Sequence, residues 1–157
     1  MGLRTAGEIT VDVDREMAFA FVQNPERLAG CIPGCHDLQE LSPGRYSAVL
    51  TSRVAFMTVS FKVILEVVRI EPPNMIEAKI TGDAVGLAGH IVATAGVHLT
   101  DAGECRTMIE YVTDVGLMGK LGGLGQPVFR ATSAQLAREF AANLKKSIEA
   151  ARTEARA

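Results

Sequence analysis

The sequence predicts an α+β fold: a curved antiparallel sheet of about seven strands wrapped around one long C-terminal helix, with two short helices after the first strand. Three observations carry this. From Gln126 onward Phe129, Ser133, Leu136, Phe140, Leu144 and Ile148 recur every three or four residues, a helical stripe. Most of the chain before it alternates apolar and polar residues with period two, broken at regular intervals by turn residues. Between the first strand and the rest lie two short segments with helix-start residues, Asp14 and Asn24-Pro25.

In chain order, Leu3 to Val13 reads as a strand, with Ile9, Val11 and Val13 on one face and Glu8, Thr10 and Asp12 on the other. Asp14 caps a helix whose apolar side is Met17, Ala18, Phe21 and Val22. Asn24 caps the next, Pro25 takes its first position and Gly30 closes it. Cys31 to Cys35 is a tight loop and Ser42-Pro43-Gly44 a turn. Tyr46, Ala48, Leu50, Ser52 and Val54 then share a strand face, and after a reversal near Ala55 to Thr58 so do Val59, Phe61, Val63, Leu65 and Val67. Glu71 to Asn74 turns into Ile76, Ala78 and Ile80. A glycine-flanked connection, Gly82 to Gly89, precedes Ile91, Ala93, Ala95, Val97 and Leu99. Asp101-Ala102-Gly103 turns into the last strand, with Thr107, Ile109, Tyr111, Thr113 and Val115 facing in. Hairpin-linked neighbours make an antiparallel sheet with one apolar face, and twist bends it around the helix. Five glycines between Gly116 and Gly125 crowd the approach to that helix. They suit either a mobile entrance or a plain strand-to-helix loop. The helix starts at Gln126, or a softer turn over Leu117 to Leu124 kinks into it at Pro127.

At 157 residues, 48% hydrophobic and 22% charged, the chain reads as one domain, 1–157, with a real core. Its net charge of -2 and lack of a concentrated basic patch give nucleic-acid binding no support. No apolar leader opens the sequence, and no stretch approaches the ~20 apolar residues of a membrane span. Three cysteines without a secretory signal point to a reducing cytoplasm.

Function is expected on the inner surface. Ala93 and Ala95 thin the sheet wall, while Phe61, Tyr111, Phe129 and Phe140 supply bulk and no tryptophan is present. Small against large is either close packing or the lining of a hollow. As a ligand site it would be lined by Phe61, Val63, Leu65, Ala93, Ala95, Leu136 and Phe140 with Phe129. Thr107, Tyr111 and Thr113 would supply hydroxyls for a polar headgroup.

Other chemistry lacks its parts. Cys31 and Cys35 sit four apart beside His36, without the spacing of paired metal-binding cysteines, so they are read as packing residues and no metal is expected. Strand parity puts His90 and His98 on the outer face, with no carboxylate in an orienting position by sequence. The inner face lacks paired carboxylates, no Ser-His-Asp set is indicated, and no catalytic residue is assigned. The glycines at 116–125 lack the Lys-Ser/Thr of a phosphate loop. Lys145, Lys146, Arg152 and Arg156 make the helix end mildly basic, which suits either a solvated face or an anionic-membrane contact.

This order of elements resembles the helix-grip fold of the START-like (polyketide cyclase-like) superfamily. Asn24-Pro25-Glu26-Arg27-Leu28-Ala29-Gly30-Cys31-Ile32-Pro33-Gly34-Cys35 resembles a signature of the carbon monoxide dehydrogenase CoxG family. Tyr111, Asp114, Gly119-Lys120-Leu121 and Leu124-Gly125-Gln126-Pro127 resemble its second. The resemblance runs from about Gly2 to Ile148. It implies a non-catalytic companion of molybdenum hydroxylases of the carbon monoxide dehydrogenase type. Such a protein recruits the enzyme to the membrane and binds a lipophilic molecule such as a quinone in the grip. Many members carry an apolar or amphipathic tail; Ala151 to Ala157 is polar and short, so direct anchoring by this segment is not expected. Two alternatives stay open: a small cyclase, dehydratase or hydrolase of the same fold, and a pure docking module. In the latter, Cys31, Pro33, Gly34 and Cys35, with Gly119, Gly122 and Gly125, would contact a large partner enzyme.

Overall fold

The structure, a computed structural model, describes residues 2–54, 57–86, 89–119 and 126–156. Seven strands, β1 (Gly2–Val11), β2 (Cys35–Ser42), β3 (Arg45–Val54), β4 (Met57–Glu71), β5 (Met75–Ala84), β6 (Gly89–Gly103) and β7 (Arg106–Gly119), form one sheet in the order β1-β7-β6-β5-β4-β3-β2. Every pairing is antiparallel. The helices are α1 (Arg15–Val22), α2 (Pro25–Cys31) and α3 (Gln126–Arg156). This is the predicted helix-grip arrangement.

The local signals explain most boundaries. Asp14 accepts from the Met17 amide at 2.8 Å and starts α1; Asn24 accepts from Glu26 and Arg27 and starts α2, with Pro25 in the first turn. Five details differ from expectation. β5 runs through Gly82 to Ala84, and β6 runs through Asp101 and Ala102 to Gly103, where a connection and a turn were expected. β1 ends at Val11 rather than Val13. Gly30 does not close α2: the helix runs on to Cys31 and is capped at Ile32. The stretch after Cys35, to which the sequence assigns no strand of its own, is the edge strand β2. Of the glycine-rich approach to α3, residues 120–125 lie outside the described ones, and α3 itself begins at Gln126.

The core falls into two clusters. In the first, Leu144 and Ile148 of α3 are fully buried with Val11, Ile109 and Leu99 of the sheet, closed below by Phe19, Phe21 and Val22 of α1 and by Cys31 of α2. Polar contacts also tie α3 to the end of β1 and to α2: the Asp12 carbonyl, just after β1, accepts from Arg152 at 2.6 Å, and Asn143 donates to the Cys31 carbonyl at 3.1 Å. The second cluster, Val59, Phe61, Val63, Ile91 and Leu117, lies further along β4, β6 and β7.

Candidate functional site

The register shows what lies between those clusters. One row across the inner face is Gly7, Tyr111, Val97 and Ile76, on β1, β7, β6 and β5. The next is Thr5, Thr113, Ala95, Ala78 and Val67. Then come Val115, Ala93, Ile80, Leu65 and Tyr46, and finally Leu117, Ile91, Gly82, Val63 and Ala48. The middle rows carry a band of small side chains: Thr113, Ala95, Ala78 and Ala93. Ala95, Ala78, Thr113, Tyr111, Leu136 and Phe140 are all half-buried, unlike the clusters on either side. Burial is thus complete at both ends and only partial in the middle, beside the Tyr111–Phe140 contact, although Ala93 is 5% exposed. In these four rows none of the described side chains is a carboxylate, amine, guanidinium or imidazole; the ionisable groups there are the phenols of Tyr46 and Tyr111.

The expected ligand-lining residues divide into three groups. Ala93, Ala95, Tyr111, Thr113 and Leu65 line or border the band, with Phe140 edge-on to Tyr111 at 6.1 Å between ring centroids. Phe61 and Val63 are buried in the second cluster and form the far boundary. Thr107 does not belong with them: it is fully buried, and its hydroxyl donates to the Val13 carbonyl at 2.9 Å. That hydroxyl closes the β1–α1 junction and is not free for a headgroup. Leu136 is half-buried on α3, and the side chain of Phe129 lies outside the described ones. Gly7 and Thr5 carry no signal in the sequence, and Gly82, expected to open a connection, lies within β5. Gly82 lets Val63 and Ile91 of the second cluster close over it, because a Cβ there would sit 2.7 Å from Val63 Cγ1.

Two of the expected docking residues, Cys31 and Gly34, have architectural roles. Cys31 is 1% exposed, so its side chain cannot meet a partner; this corrects the expectation. Burial pushes its thiol up, while a hydrogen bond with Ser147 pulls the other way. Burial likewise raises the Cys35 thiol. Gly34 has φ of +78°, and any Cβ there would overlap the Thr51 carbonyl, while its own carbonyl accepts from the Thr51 amide at 2.9 Å. The Pro33-Gly34 turn thus lets the chain pass close to β3. Pro33 and Cys35 are half-buried, Gly34 is exposed and Gly119 ends β7, while Gly122 and Gly125 lie outside the described residues.

Two histidines pair with carboxylates on the outer face. His90 Nδ1 lies 2.8 Å from Asp83 Oδ1, its register partner, so the expectation that no carboxylate orients it fails. His36 lies 3.0 Å from Asp37 and 3.1 Å from the Thr51 hydroxyl, which meets Ser60 at 3.0 Å. This has the order of a carboxylate–imidazole–hydroxyl relay. However, His36 and Asp37 stand half or more exposed, and the Thr51 amide is already committed to Gly34, so it cannot stabilise an oxyanion. The network binds β2 to β3 and β4. Among the described residues no three of His, Cys, Asp and Glu gather as a metal-binding group, and no helix is long and apolar enough to cross a membrane. A groove of about 550 Å³ runs along α3 away from the inner face, lined by Asp12, Lys145, Lys146, Glu149, Arg152 and Thr153 among others.

Known proteins place this geometry. A conserved protein from Geobacillus kaustophilus superposes with a TM-score of 0.82 at 25% identity, covering 93% of this chain and 95% of its own. A START superfamily protein from Mycobacterium smegmatis gives 0.73 at 14%, over 93% and 97%. The Zhui aromatase/cyclase from a Streptomyces species, R1128, gives 0.70 at 13%, over 95% and 94%. At such identities the last two establish the fold alone. Comparison with curated proteins finds no match. The family model for the carbon monoxide dehydrogenase protein CoxG matches residues 7–149, from the strand that carries Gly7 to the buried end of α3. The chain belongs to the carbon monoxide dehydrogenase CoxG family.

Proposed function

We propose that this protein is a non-catalytic accessory of a molybdenum hydroxylase of the carbon monoxide dehydrogenase type. It holds a neutral lipophilic molecule, such as a quinone, between α3 and the inner face of the sheet. It works in the cytoplasm and helps bring its partner enzyme to the membrane by a peripheral contact. The observation that carries the ligand reading is the band of Thr113, Ala95, Ala78 and Ala93. It is small-sided and uncharged, and it lies between two fully packed clusters. An apolar ligand with one polar end fits such a surface, whereas a carboxylate or phosphate ester would be desolvated there without a counter-charge. Burying ~300 Å² of apolar ligand would favour binding by roughly 7 kcal/mol before ordering costs. The family supports the accessory role and the choice of enzyme.

The likeness to an aromatase/cyclase favours a second reading, catalysis in the same place. A cyclase or dehydratase needs a group that moves protons at the substrate, and apart from the phenols of Tyr46 and Tyr111 the described side chains of the band offer none. One experiment separates these readings from that of a docking module. Purified protein is titrated with a solubilised naphthoquinone by calorimetry and native mass spectrometry, alongside Ala95→Phe and Lys62→Ala. Binding lost in Ala95→Phe and kept in Lys62→Ala is expected. Equal binding by Ala95→Phe removes this surface as the site, and no binding by the wild type leaves the docking module as the better reading.

A further inference from the structure

Tyr111 stands where the solid core meets the small-sided band, and its position depends on a glycine in a neighbouring strand. Gly7 of β1 is its register partner, and a Cβ at Gly7 would overlap the Tyr111 hydroxyl oxygen. The phenol therefore lies across β1, in the gap left by the missing side chain. Thr5 and Ile9, two residues to either side, are half-buried on the same face. The ring meets Phe140 edge-on, with planes at 88°, and Phe140 packs on the closed cluster. On one side of this pair Ile109 and Leu99 are 0% and 3% exposed. On the other lie Thr113 and Ala95, while Tyr111 itself keeps part of its surface uncovered.

We infer that Tyr111, seated on Gly7 and braced by Phe140, is the end wall of the ligand site and sets the length of molecule the grip accepts. This rests on the ligand reading above and adds a specificity-determining pair to it. With the wall in place, a ligand lying on Ala78, Ala95 and Thr113 stops at the phenol. Without it, the space would extend toward Ile109 and Leu99. The hydroxyl lies over Gly7 of β1, and Thr5 and Thr113 are paired in the next row, so the hydroxyl-bearing residues of the site fall at this end and the apolar chain of the ligand would run toward Phe61.

The test uses naphthoquinones with isoprenoid side chains of graded length, bound to wild type, Tyr111→Phe, Tyr111→Ala and Gly7→Val. Circular dichroism checks that each is folded. Wild-type affinity should rise with chain length and then stop rising. Tyr111→Phe should keep that limit, with binding weakened about threefold at most by loss of one hydrogen bond. Tyr111→Ala should move the limit to longer chains. Gly7→Val, whose side chain takes the seat of the ring, should weaken all members about tenfold or more. A second readout needs no length series. The chain has two tyrosines and no tryptophan, so in Tyr46→Phe the emission of Tyr111 stands alone and a quinone against it should quench it. Binding with an unchanged length limit in Tyr111→Ala, or without quenching in Tyr46→Phe, overturns the end wall and leaves the ligand site standing. No binding of any member by the wild type overturns both.

Discussion

The closed end of the grip and its middle are built from the same strands and the same helix, yet they are filled differently. At the closed end α3 presents Leu144 and Ile148, two full-sized residues one turn apart. The sheet answers with Val11, Ile109 and Leu99, and α1 and α2 seal the rim. A few residues earlier α3 carries Leu136 and Phe140, Phe140 meets Tyr111 edge-on, and the next row of the sheet carries Ala78, Ala95 and Thr113; all of these side chains are half-buried. Side-chain volume, not backbone, makes the difference. One consequence is that a single helix does two jobs: its C-terminal turns hold the fold together, while its middle is free to face something else. The largest test of this contrast is a charge on each part. Leu144→Asp should cost about 3–5 kcal/mol in chemical denaturation, because the carboxylate would be buried unpaired. Leu136→Asp should stay within about 1 kcal/mol, because water or displaced neighbours can reach it. Equal losses would mean that the middle is packed as tightly as the end.

Hydroxyls give a finer test of the same division. Thr107 and Thr113 lie on one face of β7, and strand parity alone assigns them the same role. Thr107→Val should cost about 1–3 kcal/mol, since it strands the buried Val13 carbonyl, and should leave quinone affinity unchanged. Thr113→Val should leave stability within about 0.5 kcal/mol and weaken binding up to about tenfold. The reverse assignment would place the headgroup at the closed end.

The legible part of this molecule is what period and local chemistry encode. Alternation identifies β1 and β3 to β7, the stripe identifies α3 from Gln126 to Ile148, and Asp14 and Asn24 place the two caps. The edge strand β2 is not separately legible because its alternation is broken. Its pairing shifts between His36 and Gln39 and again between Glu40 and Ser42, and Asp37 has φ of +56°. The site is legible only as a face. Which members of that face touch a ligand depends on contacts far apart in sequence. Thr107 is removed by a carbonyl 94 positions away, and Tyr111 is placed by a glycine on β1. His90 finds Asp83 for the same reason: the pair exists only once the register of β5 and β6 is fixed. Cys31 reads as part of a loop in the sequence because Gly30 precedes it. It is the last residue of α2 and turns into the core.

The smallest expected effects come from the cysteines, which sample the contrast at three depths. Cys31 is in the closed cluster, Cys35 faces inward opposite Leu50 on β3, and Cys105 is exposed in the β6–β7 hairpin. Thiolate is the reactive form, and burial holds both Cys31 and Cys35 above their ordinary value of 9.0. Alkylation with iodoacetamide followed by mass spectrometry should therefore modify Cys105 first, Cys35 next and Cys31 only as the protein unfolds. The same displacement has a thermodynamic sign. In the unfolded chain the Cys31 thiol ionises near pH 9, while in the folded chain it holds its proton to higher pH. Its contribution is thus fully present below about pH 9 and is lost as pH rises through the folded value. Cys31→Ala, expected to cost about 1 kcal/mol at pH 7 for the atoms removed from the core, should consequently lose less stability than wild type between neutral and alkaline pH. Parallel loss in both proteins would mean that the thiol is not held neutral by burial. Early alkylation of Cys31 would mean that the closed end opens far more readily than its packing implies.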